Sequence, residues 1–135
     1  GPDYVNAAIE FNFTGESHGL LQILHQIESL FGRARETRWG GRVLDLDLLA
    51  FGDEVAPDMK GYSQWRDKPL DQQMKQTPEE LILPHPRMQD RAFVLGPLMD
   101  IAPGWRHPVS GRTVREMFAS LPAGDREALQ PISGP

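Results

Sequence analysis

Hydrophobic and polar residues alternate along two stretches of the chain, and this alternation predicts β-strands. In the apolar run 43–51, leucines at every second position are separated by Asp45 and Asp47. Side chains two residues apart project from the same face of a strand, so both carboxylates are expected on one face, with Cα atoms roughly 6.5–7 Å apart. Residues 3–13 alternate in the same way, which predicts a second, half-buried strand.

Two other stretches predict α-helices. Residues 16–31 repeat their apolar side chains at the three-and-four spacing of an amphipathic helix, and Gly32 is the expected C-terminal stop. Near the other end of the chain, Thr113 and Glu116 have the spacing of a capping box, which predicts a final helix. Residues 122–135 are expected to be poorly ordered.

A polar segment with several prolines interrupts the apolar pattern after the run that contains the two aspartates. Residues 53–80 are interpreted as a surface insertion, with a short helix expected around 69–75. Trp65 is the apolar side chain expected to anchor this insertion on the body of the domain. Residues 81–83 then predict a third, short strand.

Composition and charge exclude several classes of protein. The 135 residues are enough for one domain with a core, and the chain contains no cysteine, which rules out disulfides and thiolate metal sites. The net charge of −5 argues against a general nucleic-acid binder. No membrane span or secretory signal is visible, so we expect a soluble cytoplasmic protein with no nucleic-acid or membrane partner.

Basic residues lie just before the two aspartates. Arginine binds phosphate bidentately, and paired carboxylates can hold a hard cation such as Mg²⁺ while leaving room for phosphate oxygens. Each charged residue taken singly is more typical of a solvated surface with ion pairs, but the combination within an apolar run favours a metal–polyphosphate site. The four arginines are Arg33, Arg35, Arg38 and Arg42.

Two segments resemble motifs of a known enzyme family. They are RWGGRVLDLDLLAFG at 38–52 and LPHPRMQDRAFVLGPL at 83–98. Both are similar, in the same order, to motifs of the 6-hydroxymethyl-7,8-dihydropterin pyrophosphokinases of the folate pathway, and the similarity extends from Asp3 to about Leu121. The family usually has proline where this chain has Gly41, which predicts a more flexible loop.

The resemblance implies a reaction and a set of site residues. The reaction is transfer of pyrophosphate from ATP, the co-substrate, to 6-hydroxymethyl-7,8-dihydropterin, giving the pterin diphosphate and AMP with two Mg²⁺ ions expected. Asp45 and Asp47 would bind the metal and, with Arg33 and Arg42, form the catalytic set. The residues implied in ATP binding are Glu28, Arg33, Arg35, Arg38, Trp39, Arg42, His85 and Arg91, and those implied in pterin binding are Tyr4, Asn6 and Phe93.

The resemblance also implies a fold, an α+β ferredoxin-like sandwich with an antiparallel sheet. It would form a single domain over residues 1–121, followed by the tail. The family opens with a β-α-β unit that this sequence lacks, because the sequence starts at what would be the third element. An open sheet edge invites pairing with another chain, so we expect a missing N-terminal segment, or poor folding and self-association of these residues alone.

Three alternatives to the enzyme remain open at this stage. One is a non-catalytic fragment or assembly module that binds ATP and pterin, which ATP-dependent release of AMP would distinguish from the enzyme. Another is a nucleic-acid-binding module that uses the arginine loop and Trp39, which the negative charge and the lack of interleaved aromatic residues disfavour. The third is a Mg²⁺-dependent hydrolase, which would use the carboxylates but would not need stacked aromatic rings.

Overall fold

Six α-helices and one short 3₁₀ helix organise the part of the chain that the structure describes. The computed structural model describes residues 5–34, 44–76, 78 and 80–129, without the side chains of Arg33, Ala34 and Met74. The helices in chain order are α1 (Ser17–Ala34), α2 (Met59–Arg66), α3 (Leu70–Lys75), the 3₁₀ helix (Met88–Asp90), α4 (Ala92–Ile101), α5 (Val114–Ala119) and α6 (Ala123–Glu127).

Helix α1 confirms the prediction from the three-and-four spacing. The expected stop at Gly32 was wrong, because the helix continues to Ala34. The Oγ of Ser17 at its first turn donates a 2.8 Å hydrogen bond to the carboxylate of Glu54, which follows the aspartate-containing run. This bond connects the start of the helix to the segment that leads into the insertion.

The predicted strands do not form a sheet within the described residues. Pairing there is limited to two isolated antiparallel bridges, Ala56 with Leu83 and Arg106 with Thr113. Residues 5–13 are not a half-buried strand, since Val5 and Ile9, expected to be buried, are 73% and 78% exposed. The antiparallel ferredoxin-like sheet is therefore not confirmed. The physical reason is that a strand needs a neighbouring backbone to pair with, which an alternating pattern does not supply.

The hydrophobic core lies between α4 and α5. Leu95, Val114 and Met117 are at most 1% exposed and pack together with Ala92 and Leu121. The Trp105 indole is half-buried and packs against this cluster.

The insertion contains two helices and a different anchor from the one predicted. The short helix expected around 69–75 is α3, whereas α2 was not predicted. A local signal was present, because the carboxylate of Asp58 accepts a 2.7 Å hydrogen bond from Gly61 N and caps α2. Tyr62 is the buried anchor, at 1% exposed, while Trp65 is half-buried and lies against the ammonium of Lys68.

The C-terminal segment contains the predicted capping box and a helix in the tail. The capping box at the start of α5 is confirmed, since Thr113 Oγ1 accepts from Glu116 N at 3.1 Å and the Glu116 carboxylate accepts from Thr113 N at 3.0 Å. The expectation of a poorly ordered tail was wrong for α6, and Leu129, two residues after the end of this helix, packs on the core. Among the described helices, none has the length and apolar character needed to cross a membrane.

Candidate active site

The two aspartates are both exposed in the segment at residues 44–48. Exposure alternates along it, with the aspartates exposed and the intervening leucines half-buried. This is the pattern predicted from the sequence, although residues 44–50 are not part of a hydrogen-bonded strand. Asp45 and Asp47 are therefore both accessible to solvent.

A carboxylate on α1 contacts the backbone between these two aspartates. The Oε2 atom of Glu28, which is half-buried, accepts a 2.7 Å hydrogen bond from the backbone N–H of Leu46. Hydrogen bonds to ionised acceptors are shorter and stronger than those between neutral groups. The bond holds the acid-bearing segment against the helix at the residue that separates the acids.

The second motif is joined to the same segment through its backbone. The N–H of His85 donates a 2.8 Å hydrogen bond to the carbonyl of Leu49, two residues after Asp47. The preceding Leu83 exchanges two hydrogen bonds with Ala56, at 3.0 and 3.1 Å, and its side chain is fully buried. The histidine is thus fixed beside the acid pair by two rigid attachments.

Two side chains of the second motif, His85 and Arg91, have lowered pKa values. Burial lowers the pKa of His85, and the neighbouring Arg91 guanidinium lowers it further, while Asp47 opposes the shift. Burial also lowers the pKa of Arg91, with Arg87 adding repulsion and Asp47 opposing it. The structure therefore brings Asp47, His85 and Arg91 together within electrostatic range of one another.

The hydrogen bonds of His85 determine its tautomer. Its Nδ1 atom accepts a hydrogen bond of 3.2 Å from the backbone N–H of Arg87. Because an accepting nitrogen carries no proton, the neutral ring is protonated at Nε2. His85 therefore presents an N–H donor, which is suited to an anionic oxygen.

The expected pterin contacts that the structure describes are both exposed. Phe93 is 46% exposed, and its ring centroid lies 5.6 Å from the guanidinium carbon of Arg91, a cation–π distance. An exposed ring beside a cation offers a face for stacking a flat heterocycle. Asn6 is also exposed, in the segment before α1.

Sequence reasoning missed one basic residue of this cluster, Arg87. Several other predicted site residues lie outside the part of the chain that the structure describes. Arg87, half-buried, acts electrostatically on both His85 and Arg91, and its position between them in the motif was the available signal. The predicted site residues that lie outside the described residues are Tyr4, Arg35, Arg38, Trp39 and Arg42, together with the side chain of Arg33.

The aspartate pair has the chemistry of a magnesium site completed by a ligand. Among residues 5–34, 44–76, 78 and 80–129, no group of three or more His, Cys, Asp or Glu side chains is arranged to hold a metal. Mg²⁺ binds through one or two carboxylates and takes its remaining oxygens from water and substrate phosphates. Asp45 and Asp47, as two exposed carboxylates, are a donor set that fits this description.

Paired carboxylates beside a cluster of cationic side chains are a combination typical of enzymes that transfer phosphoryl groups. The family model described as 7,8-dihydro-6-hydroxymethylpterin-pyrophosphokinase matches residues 1–103 of the chain. The chain therefore belongs to this pyrophosphokinase family.

Individual relatives agree with the family match. The chain is similar to proteins named 2-amino-4-hydroxy-6-hydroxymethyldihydropteridine pyrophosphokinase from Synechocystis sp., at 37% identity over 132 residues, and from Methylorubrum extorquens, at 38% over 122 residues. A Pseudomonas aeruginosa protein of the same name is 38% identical over 128 residues. These alignments cover 98%, 90% and 95% of the chain, but only 56%, 63% and 66% of the respective relatives.

Proposed function

We propose that the chain carries the catalytic part of an enzyme that transfers pyrophosphate from ATP to 6-hydroxymethyl-7,8-dihydropterin, as a step of folate biosynthesis. The observation that supports this most directly is the placement of Asp47 within electrostatic range of His85 and Arg91, in a chain of this family. One side of the cluster can hold a metal, and the other can hold the phosphates that the metal neutralises.

The proposed reaction forms one phosphorus–oxygen bond and breaks another. The hydroxymethyl oxygen of the pterin attacks the β-phosphorus of ATP, the bond between that phosphorus and the oxygen bridging to the α-phosphate breaks, and AMP leaves. The hydroxyl proton is lost to solvent or to a carboxylate of the acid pair. Phosphoryl transfer requires in-line placement and charge neutralisation more than covalent help from the protein.

Each part of the site has a role in this proposal. Asp45 and Asp47 would hold two Mg²⁺ ions, which when bound neutralise charge on the phosphates. His85 donates from Nε2 and Arg91 from its guanidinium to phosphate oxygens, and both do so without a proton transfer. The other proposed phosphate ligands are Arg33, Arg35, Arg38 and Arg42, with Trp39 shaping the loop, and Tyr4, Phe93 and Asn6 would bind the pterin.

Substitution of Asp47 tests the proposed function. Asp47→Ala removes one of two metal carboxylates, so metal-dependent formation of AMP from ATP and the pterin should fall by at least about 100-fold, corresponding to roughly 2.7 kcal/mol of transition-state stabilisation. AMP is measured by anion-exchange chromatography, and circular dichroism checks the fold. Asp53→Ala is the matched control, because Asp53 is exposed six residues later and should retain the parent rate. Parent-like turnover by Asp47→Ala would refute the assignment of the metal site.

A second candidate function is an ATP- and pterin-binding module without catalysis. The observation that favours it is the exposed Phe93 ring beside the Arg91 guanidinium, which can bind a flat heterocycle without any chemical step. The same assay separates the two functions: binding of both ligands without ATP-dependent release of AMP would favour the module.

A further inference from the structure

The contact between Glu28 and Leu46 joins two parts of the site that the sequence keeps 18 residues apart. The acceptor is a carboxylate oxygen of α1, and the donor is the backbone N–H of Leu46, the residue between Asp45 and Asp47. At 2.7 Å the bond is at the short end of the range for N–H···O contacts. A group engaged in this way orients the backbone that carries the two acids.

The acid-bearing segment is also held on its other side. Leu49 accepts a hydrogen bond from His85 N at 2.8 Å, so the described contacts fix the backbone both before and after Asp47. Regular strand pairing does not hold residues 44–50 in place. The individual bonds from α1 and from the second motif contribute to holding this segment in place.

We propose that Glu28 is a positioning residue, which acts through the Leu46 amide to hold Asp45 and Asp47 in the geometry that binds the divalent cation. This deepens the proposed function and rests on its metal assignment. It gives Glu28 a different role from the direct nucleotide contact expected from the sequence. Partners that orient metal ligands typically change metal affinity by about 10–100-fold when they are removed.

The experiment compares metal binding and nucleotide binding in variants of the full chain. Glu28→Ala and the longer Glu28→Met both remove the acceptor, and Met preserves side-chain volume and helix propensity. Glu28→Gln keeps an oxygen that can accept from Leu46 N–H. Gln26→Ala, an exposed change on the same helix, is the matched control. Free Mn²⁺, as a probe for Mg²⁺, is measured by electron paramagnetic resonance at saturating α,β-methylene ATP, which cannot be cleaved at the reacting bond.

We expect the removal of the acceptor to weaken Mn²⁺ binding and to leave the binding of metal-free ATP nearly unchanged. Glu28→Ala and Glu28→Met should weaken Mn²⁺ binding by about 10–100-fold, while binding of metal-free ATP in EDTA changes less than about twofold. Glu28→Gln should remain within about threefold of the parent for both ligands, and Gln26→Ala should match the parent.

Other outcomes overturn the proposal. A loss of metal-free ATP binding with unchanged Mn²⁺ affinity would make Glu28 a nucleotide ligand. A folded Glu28→Gln that binds Mn²⁺ as weakly as Glu28→Met would show that the charge itself is needed. If the parent binds no Mn²⁺, the positioning role fails together with the metal site. A Glu28-dependent Mn²⁺ site in a chain that produces no AMP would instead leave the positioning role standing and refute the proposed activity.

Discussion

His85 shows how one side chain can be prepared for an anion without carrying a charge. Its Nδ1 accepts from the Arg87 backbone, so its Nε2 is the donor, and burial with nearby Arg91 lowers its pKa below the ordinary value of 6.5. A neutral donor avoids adding a third full positive charge beside two guanidinium groups. The imidazole therefore contributes direction, while the arginines contribute charge.

The titration of His85 can be observed directly. Its imidazole signals in two-dimensional NMR should titrate below pH 6.5 in the ligand-free protein, because burial and Arg91 disfavour the charged form. ATP should raise this pKa, since bound phosphate places negative charge beside the ring. A His85 midpoint above pH 6.5 without ligand would contradict the described burial.

At the scale of single elements, local sequence signals predicted the structure correctly where an element forms its backbone hydrogen bonds with residues close in the chain. Helix α5 begins with both hydrogen bonds of a capping box, which satisfy N–H groups that the first turn otherwise leaves without partners. The bond from Thr113 N lowers the pKa of Glu116, so this contribution is present above the ordinary carboxyl pKa and is lost as pH falls through the lowered value.

Removal of the cap should destabilise the C-terminal half of the molecule. Thr113→Ala removes the acceptor for Glu116 N, and we expect it to lower the free energy of unfolding by about 1 kcal/mol. Urea unfolding followed by circular dichroism measures this, and Thr113→Ser, which keeps the hydroxyl, should recover most of the loss. An alanine variant with unchanged stability would show that the cap does not contribute to folding.

At the scale of the whole molecule, a buried histidine links the insertion to the C-terminal region. The Nδ1 of His107, 2% exposed, accepts from the backbone N–H groups of Val109 and Ser110 at 3.1 and 3.2 Å, so its protonated Nε2 faces the hydroxyl of Tyr62 at 3.3 Å. Burial lowers the pKa of His107, and Arg66 on α2 lowers it further. The folded state consequently favours the neutral ring.

This preference makes the stability of the protein depend on pH. Below pH 6.5 the unfolded chain takes up a proton at His107 that the folded chain resists, so the free energy of unfolding should fall as pH decreases, by at most about 1.4 kcal/mol per pH unit. Above pH 6.5 this contribution is fully present. Urea unfolding between pH 5 and 8 measures the slope. His107→Asn retains an acceptor for the two N–H groups and should reduce the slope, leaving the part that comes from His85, whose pKa burial also lowers. An unchanged slope would exclude His107 as a source.

The molecule also exposes a large amount of apolar surface. Large side chains before and on α1 are 50–78% exposed, which is unusual for surface that is not part of an interface. They are Val5, Ile9, Phe11, Leu30 and Phe31.

We expect the chain to associate with itself through this surface. Sedimentation velocity should show an average mass that rises with concentration, and thermal melting should depend on concentration in the same range. Ile9→Glu together with Leu30→Glu should shift the protein toward monomer, whereas Glu10→Gln, a change at another exposed position of the same segment, should have no such effect. A concentration-independent melt of a monomer would contradict this expectation.

Sequence alone determined the features that depend on short-range chemistry. The spacing in residues 16–31 predicted α1, the Thr113–Glu116 pair predicted the start of α5, and the two motifs indicated the family that the match over residues 1–103 then established. The alternating exposure of Asp45 and Asp47 also agrees with the sequence pattern. These features are readable because each is carried by neighbours within one or two turns of backbone.

Only the tertiary structure decided which distant groups meet. It connected Glu28 to Leu46 and His85 to Leu49, and it chose Tyr62 rather than Trp65 as the buried anchor of the insertion. It also left residues 5–13 and 44–50 without the strand pairing that their alternation predicted. Hydrogen bonds and burial depend on a partner that is remote in the chain, and a periodic pattern specifies the face that needs a partner without specifying the partner itself.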